Sequence, residues 1–225
     1  MNINKKIEEL FKNGCHLGHQ KNKIHPKAKK YIYTIENGVS IIDLTQTVEF
    51  LEKAKKYIYN LSENKKTLLV VGTKKIFSNF IKEFCQEREI PYVNLKWPAG
   101  LLTNFETLTK NVEKLKKMKK DKEERVWNKL VKHERLKLER KLNKLEKFYG
   151  GIELLKKLPD ALFIIDIKKE KNAFKEALAK KVPVIAIVDT NVNSENVDYP
   201  IPANDDSLSS IQYLIQEILN CYSKK

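Results

Sequence analysis

An α/β fold is predicted, with a parallel sheet covered by helices on both faces and an inserted antiparallel helical hairpin. Three observations in the 225 residues predict it. Short apolar runs at 67–71, 161–165 and 184–188 lack polar alternation, as strands buried on both faces do. Amphipathic helical stretches separate these runs, and that order of elements builds parallel sheets. Between Gly100 and Gly150 the alternation stops, and residues 101–149 contain neither Gly nor Pro.

The elements follow in order. Ile3, Ile7, Leu10 and Phe11 share one face of a helix over 3–13 that Gly14 stops. Residues 14–30 read as an irregular basic loop. Two strands at 31–35 and 39–42 are turned by Asn37-Gly38, a dipeptide suited to tight hairpins. Asp43 and Gln46 are spaced like a capping box before a helix whose apolar face is Val48, Leu51, Ala54, Ile58 and Leu61. A strand at 67–71 leads to a helix at 77–89 with Phe77, Phe80, Ile81 and Phe84 inward. A short strand at 92–95 precedes the hairpin. After it come a strand at 161–165, a helix at 171–181, a strand at 184–188 and a last helix at 206–221.

In the hairpin, Phe105, Leu108, Val112, Leu115 and Met118 recur at helical spacing, as do Val131, Leu138, Leu142, Leu145 and Tyr149. The chain is expected to reverse near Asp121-Lys122-Glu123. The organisation is therefore a discontinuous body, 1–104 and 150–225, with a basic helical hairpin at 105–149.

Charge is concentrated in two places. The net formal charge is +15. Residues 1–30 carry eight bases and two acids, a net of +6; residues 106–149 carry sixteen bases and eight acids, a net of +8. The rest is close to neutral. Such a layout suits a polyanion, because each phosphate contact releases condensed counterions. No apolar run approaches the ~18–20 residues a membrane span needs, so no membrane partner is expected. Nothing in the first residues reads as a targeting signal. Cys15, Cys85 and Cys221 form no CxxC pair, which excludes a zinc ribbon and argues for a reducing compartment.

Enzyme chemistry is poorly supported. Val71-Gly72-Thr73-Lys74-Lys75 joins a strand to a helix and could meet a phosphate, but neither GxxxxGK[ST] nor GxGxxG is present. Asp166 and Asp189 end two strands, where a Mg²⁺-dependent nucleotide or phosphate-handling enzyme would keep its acids. Capping explains them, and Asn204-Asp205-Asp206, more simply. The set Cys15, His16, His19 and His25 matches no standard zinc spacing, so no metal and no cofactor is expected.

Several blocks taken together carry a resemblance. They are Gly14-Cys15-His16-Leu17-Gly18-His19-Gln20, His25-Pro26-Lys27, Ile41-Ile42-Asp43-Leu44, Val71-Gly72-Thr73-Lys74 and Lys96-Trp97-Pro98-Ala99-Gly100-Leu101-Leu102-Thr103-Asn104. Gly150-Gly151-Ile152, Leu158-Pro159-Asp160-Ala161, Ile187-Val188-Asp189-Thr190-Asn191 and Ile201-Pro202-Ala203-Asn204-Asp205-Asp206 continue the series. In this order the chain resembles the small-subunit ribosomal protein two family, bacterial or organellar type, over nearly its whole length.

The resemblance implies a flavodoxin-like three-layer α/β/α fold with an inserted hairpin and no enzymatic activity. It implies a structural role in translation: binding small-subunit ribosomal RNA near the head–body junction, beside neighbouring small-subunit proteins. In bacteria these include the large messenger-capturing protein one. A cytoplasmic bacterial ribosome is expected, an organelle ribosome being the alternative, and no homo-oligomer. RNA-facing positions are expected at His16, His19, Lys21, Lys23, His25, Lys27, Lys29 and Lys30, at Thr73, Lys74 and Lys75, and at Lys96, Trp97 and Asn104. On the hairpin, charge and exposure single out Lys114, Lys117, Lys120, Arg135 and Arg140.

Overall fold

The computed structural model describes residues 3–222. Its centre is a five-stranded parallel sheet of β4 (Leu68–Val71), β5 (Tyr92–Val93), β6 (Ala161–Ile164), β7 (Val184–Val188) and β8 (Tyr199–Pro202). The spatial order is β5-β4-β6-β7-β8, the doubly wound order of flavodoxin-like folds. Successive residues of each central strand enter different cores. Leu68, Val70, Phe163, Ile165, Ile185 and Ile187 pack on one face. Leu69, Val71, Leu162, Ile164, Ala186 and Val188 pack on the other.

The first face is covered by α1 (Ile3–Lys12), α2 (Leu44–Glu63), α3 (Lys75–Glu87) and α7 (Leu208–Leu219). Asp43 caps α2: its carboxylate accepts from the Thr45 N–H at 2.9 Å and from the Gln46 amide at 3.0 Å. The second face is covered by α6 (Lys171–Lys180), by the 97–102 loop and by the first turns of α4 (Phe105–Glu123).

The basic stretch at 14–30 is not irregular, a correction to the sequence reading. Residues Leu17–Gln20 form a strand, β1, which pairs antiparallel with β3 (Val39–Ile42) in a sheet of order β1-β3-β2. Here β2 is Ile32–Glu36, and Asn37 and Gly38 both adopt positive φ in the turn to β3. A 3-10 turn at Pro26–Tyr31 leads into β2 and is capped by His25, whose Nδ1 accepts from the Lys27 N–H at 3.2 Å. This small sheet crosses the carboxyl ends of the parallel strands, held there by the His25 N–H on the Thr190 carbonyl at 2.8 Å. The approach is tight: a Cβ at Gly18 would lie 2.5 Å from the Ser40 hydroxyl.

Helices α4 and α5 (Lys132–Tyr149) form the antiparallel pair. At 1.5 Å per residue each extends about 27 Å. Their seam is a separate small core of Leu115, Met118, Trp127 and Leu142, with Leu138, Leu145 and Tyr149 packed on it. The reversal falls later than residues 121–123. Glu123 still belongs to α4, Arg125 takes a positive φ, and a 3-10 turn at Val126–Lys129 buries Trp127 over the seam. Val131 is exposed and outside the seam because it precedes the first turn of α5. Gly151 lets the chain re-enter the body, since a Cβ there would stand 2.2 Å from the Tyr92 carbonyl.

Candidate nucleic-acid interface

Two regions of charge oppose each other in kind. The first lies at the carboxyl ends of the parallel strands, at the switch point between β4 and β6, where ligands of such sheets usually bind. Lys74, just after β4, reaches Asp166 at 2.6 Å, Asp205 at 3.0 Å and Asp206 at 2.9 Å. Burial works against the Lys74 charge, but the three carboxylates raise its pKa overall. Asp205 is itself buried; that burial, with Asp166 and Asp189 near, pushes its carboxyl from 3.8 up to about 7. His19 completes the cluster, with Nδ1 3.1 Å from Asp189 and Nε2 3.4 Å from Asp206. The Asp189 hydrogen bond is the main reason its pKa is raised.

Acids outnumber bases here, so the cluster repels phosphate. The neighbouring turn is also occupied: the Thr73 N–H and hydroxyl both donate to Glu170. Its N–H is spent on a buried carboxylate rather than aimed at solvent. Among the described residues, His19, Asp189 and Asp206 bring their ligand atoms within 4.8 Å and are the set that could hold a cation. The histidine and cysteine neighbours in sequence do not join them. Cys15 is buried against the Ser210 hydroxyl, His16 stacks on Phe11 at 4.2 Å, and His25 caps a turn. Asp166 and Asn204 also cap backbone N–H groups, of Lys169 and of Asp206 and Ser207.

Trp97 is likewise a structural residue. It is buried, and its indole N–H donates to Glu176 at 2.9 Å. The same carboxylate accepts from the Gly100 N–H at 2.8 Å and the Leu102 N–H at 3.0 Å. Burial opposes the Glu176 charge, yet these donors together hold its pKa below the usual carboxylate value. Of the expected RNA-facing set, then, His19, Thr73, Lys74 and Trp97 spend their polar groups inside the fold. Spacing does not reveal this, because their partners lie 79 to 187 residues away in sequence.

The second region is open. Lys21, Lys23, Lys29 and Lys30 are exposed on the turns beside the small sheet, as are Lys75, Lys96 and Asn104 further along the chain. Lys27 is exposed but ion-paired with Glu195. On the hairpin, Lys114, Lys117, Lys120 and Arg140 are exposed and Arg135 is half-buried. Lys120 has Glu124 at 3.6 Å.

Lys114 stands beside Lys141 of the partner helix, and that proximity lowers the Lys114 pKa. Two like charges side by side gain from a shared anion. They also align two stripes: Lys110, Lys114 and Lys117 on α4, and Lys137, Lys141 and Lys144 on α5, each at i, i+4, i+7 and each exposed. The α5 stripe and Lys110 are additions to the expected set, although the same spacing rule applied to charge rather than to apolar residues finds them.

Comparison with known proteins identifies the family. Residues 10–224 match the family described as ribosomal protein S2. The small ribosomal subunit protein uS2 of Helicobacter acinonychis (strain Sheeba) is 39% identical over 212 residues, covering 94% of this chain and 86% of that protein. The family is a structural component of the small ribosomal subunit and not an enzyme, which removes the phosphate-handling alternative. With the three-layer α/β/α fold and the inserted hairpin in place, and the family match over residues 10–224, the chain belongs to the ribosomal protein S2 family.

Proposed function

We propose that the chain binds small-subunit ribosomal RNA of the 16S type through two basic surfaces, the hairpin stripes and the exposed lysines at 21–30. In this reading the hairpin at 105–149 is an RNA-binding appendage, and the body at 1–104 and 150–225 is the platform that carries it. The observation that carries the reading is the pair of exposed lysine stripes meeting at Lys114 and Lys141, on a protein whose excess charge lies almost wholly in the hairpin and in residues 1–30. Lysines there neutralise phosphates and fix the orientation of the protein. Folded RNA is recognised mainly by shape and backbone, so little base readout is needed along the stripes.

The position near the head–body junction, the association with the large messenger-capturing protein one, the absence of a homo-oligomer and a cytoplasmic bacterial ribosome complete the proposal. The bacterial source of the 39% identical relative favours this over an organelle ribosome.

The test is equilibrium binding of the purified chain to small-subunit ribosomal RNA across a salt series. Replacing Lys114, Lys117 and Lys141 together with glutamine should weaken binding and make its salt dependence shallower. The slope of log K against log salt should fall by about 0.7–0.9 for each phosphate that is no longer neutralised. Lys27→Gln should change the slope less than Lys29→Gln, because Lys27 already has Glu195. A triple variant with the wild-type slope removes the stripes from the RNA surface.

A further inference from the structure

A groove of about 700 Å³ lies where the base of the hairpin meets the body. Its volume is within the ~300–1,000 Å³ range of pockets that hold small ligands. Its apolar lining is Leu145, Phe148 and Tyr149 of α5 with Trp97 and Pro98. Phe148 is 37% exposed, so part of this aromatic side chain is open to solvent. Lys96, Lys141 and Lys144 make the groove cationic, and among the described residues no carboxylate lines it.

The walls are preset. Glu176 holds the Trp97 side of the groove through three hydrogen bonds of 3.0 Å or less. The Asn111 amide donates to the Tyr149 hydroxyl at 3.3 Å and fixes the other side. Lys141 is shared with the lysine stripe described above, so the groove opens at the foot of the proposed RNA surface.

Aromatic side chains and three lysines lining one groove match one chemistry closely. Nucleobases stack on aromatic side chains, while their phosphates require cations. A base still paired within a helix offers no free face, so the occupant is unpaired. We infer that this groove captures a single unpaired nucleotide of ribosomal RNA, its base laid on Phe148 and its flanking phosphates held by Lys96, Lys141 and Lys144. The inference rests on the reading of the hairpin as an RNA surface and assigns to it a point of base contact. An apolar side chain from a neighbouring protein is disfavoured by the three rim lysines, which would leave it beside unneutralised charge.

The test uses the intact chain, small-subunit ribosomal RNA and the variants Phe148→Ala, Phe148→Trp and Lys144→Gln. Unfolding curves first establish that each variant is folded, as expected for a residue already one-third exposed. Stacking of one base has an effect of about 1–3 kcal/mol, so Phe148→Ala should weaken binding about 5- to 150-fold. Its salt slope should stay at the wild-type value, because every phosphate keeps its lysine. Phe148→Trp should bind as well as wild type or better, and Lys144→Gln should make the slope shallower.

Wild-type affinity for Phe148→Ala overturns the inference while leaving the stripes intact, provided the Lys114, Lys117 and Lys141 variant still has the shallower slope. If that variant also binds as wild type, the RNA reading itself fails. If Phe148→Ala binds naked RNA normally but joins assembled subunits weakly, the occupant is a neighbouring protein, and the nucleotide assignment is wrong.

Discussion

Lys74→Met is expected to destabilise the fold by about 3–5 kcal/mol at neutral pH, because it removes one partner of a buried charge cluster and strands the other. Lys74 is the shared cation of Asp166, Asp205 and Asp206, and Asp166 and Asp205 are buried. Methionine preserves the length and much of the volume of the side chain, so the loss reports charge rather than a cavity. The loss should also depend on pH in a definite direction. A group whose folded pKa is raised holds its proton more tightly when folded. Its contribution is complete below the unfolded pKa and is lost as pH rises through the folded pKa.

For Asp205 that window runs from about 4 to about 7. The raised His19 adds loss in the same direction, starting near its ordinary value of 6.5. Urea unfolding of the wild type should therefore show this cluster weakening from pH 5 to pH 8. The Lys74→Met penalty should grow over the same interval, since its stranded carboxylates ionise with no cation beside them. A penalty that is small, or that shrinks as pH rises, contradicts the account of this cluster.

Glu176→Ala should have the second large effect, a loss of about 3–4 kcal/mol together with disorder of the loop at 97–103. One carboxylate there receives the Trp97 indole N–H and the Gly100 and Leu102 backbone N–H groups. Hydrogen bonds to charged groups contribute about 1.5–3 kcal/mol each, and partial rehydration of the freed donors returns part of that. Trp97 is buried in the second core, so its fluorescence should shift to the red as the loop opens. The chain has two tryptophans, and a Trp127→Phe background isolates the signal. Glu176→Gln keeps one acceptor oxygen and should fall between the two. An unshifted spectrum and unchanged unfolding midpoint for Glu176→Ala would show that the loop is held by packing alone.

These two residues also show where the sequence is legible. The central sheet can be read because buried parallel strands are nearly all apolar, and the runs around Val70, Phe163 and Ile185 have that composition. The hairpin can be read because its seam repeats every three or four residues without Gly or Pro. Strand β8 cannot be read: its sequence is Tyr-Pro-Ile-Pro, and proline usually argues against a strand. As the last strand in the sheet it pairs on one side only, and that tolerates the missing N–H groups. Strand β1, Leu-Gly-His-Gln, has no β-branched residue and is extended through its pairing with β3.

The chemistry is less legible than the fold. A lysine after a strand-to-helix glycine reads locally as a phosphate ligand, but Lys74 meets carboxylates that arrive from 92, 131 and 132 positions further along the chain. Trp97 reads as RNA-facing for the same reason, its partner Glu176 lying in a distant helix. The hairpin lysines can be found in part because their environment is local: helical spacing alone decides which of them share a face.

Sedimentation of the tagged chain from a cell extract, at low and at moderate salt, asks whether the protein is a component of the small ribosomal subunit. Stoichiometric migration with small ribosomal subunits that survives moderate salt is expected, because stripes of lysine act together with a preformed body. A free species of about 26 kDa at every salt concentration would contradict it. Association confined to low salt would also contradict it, reducing the +15 charge to non-specific attraction for any polyanion.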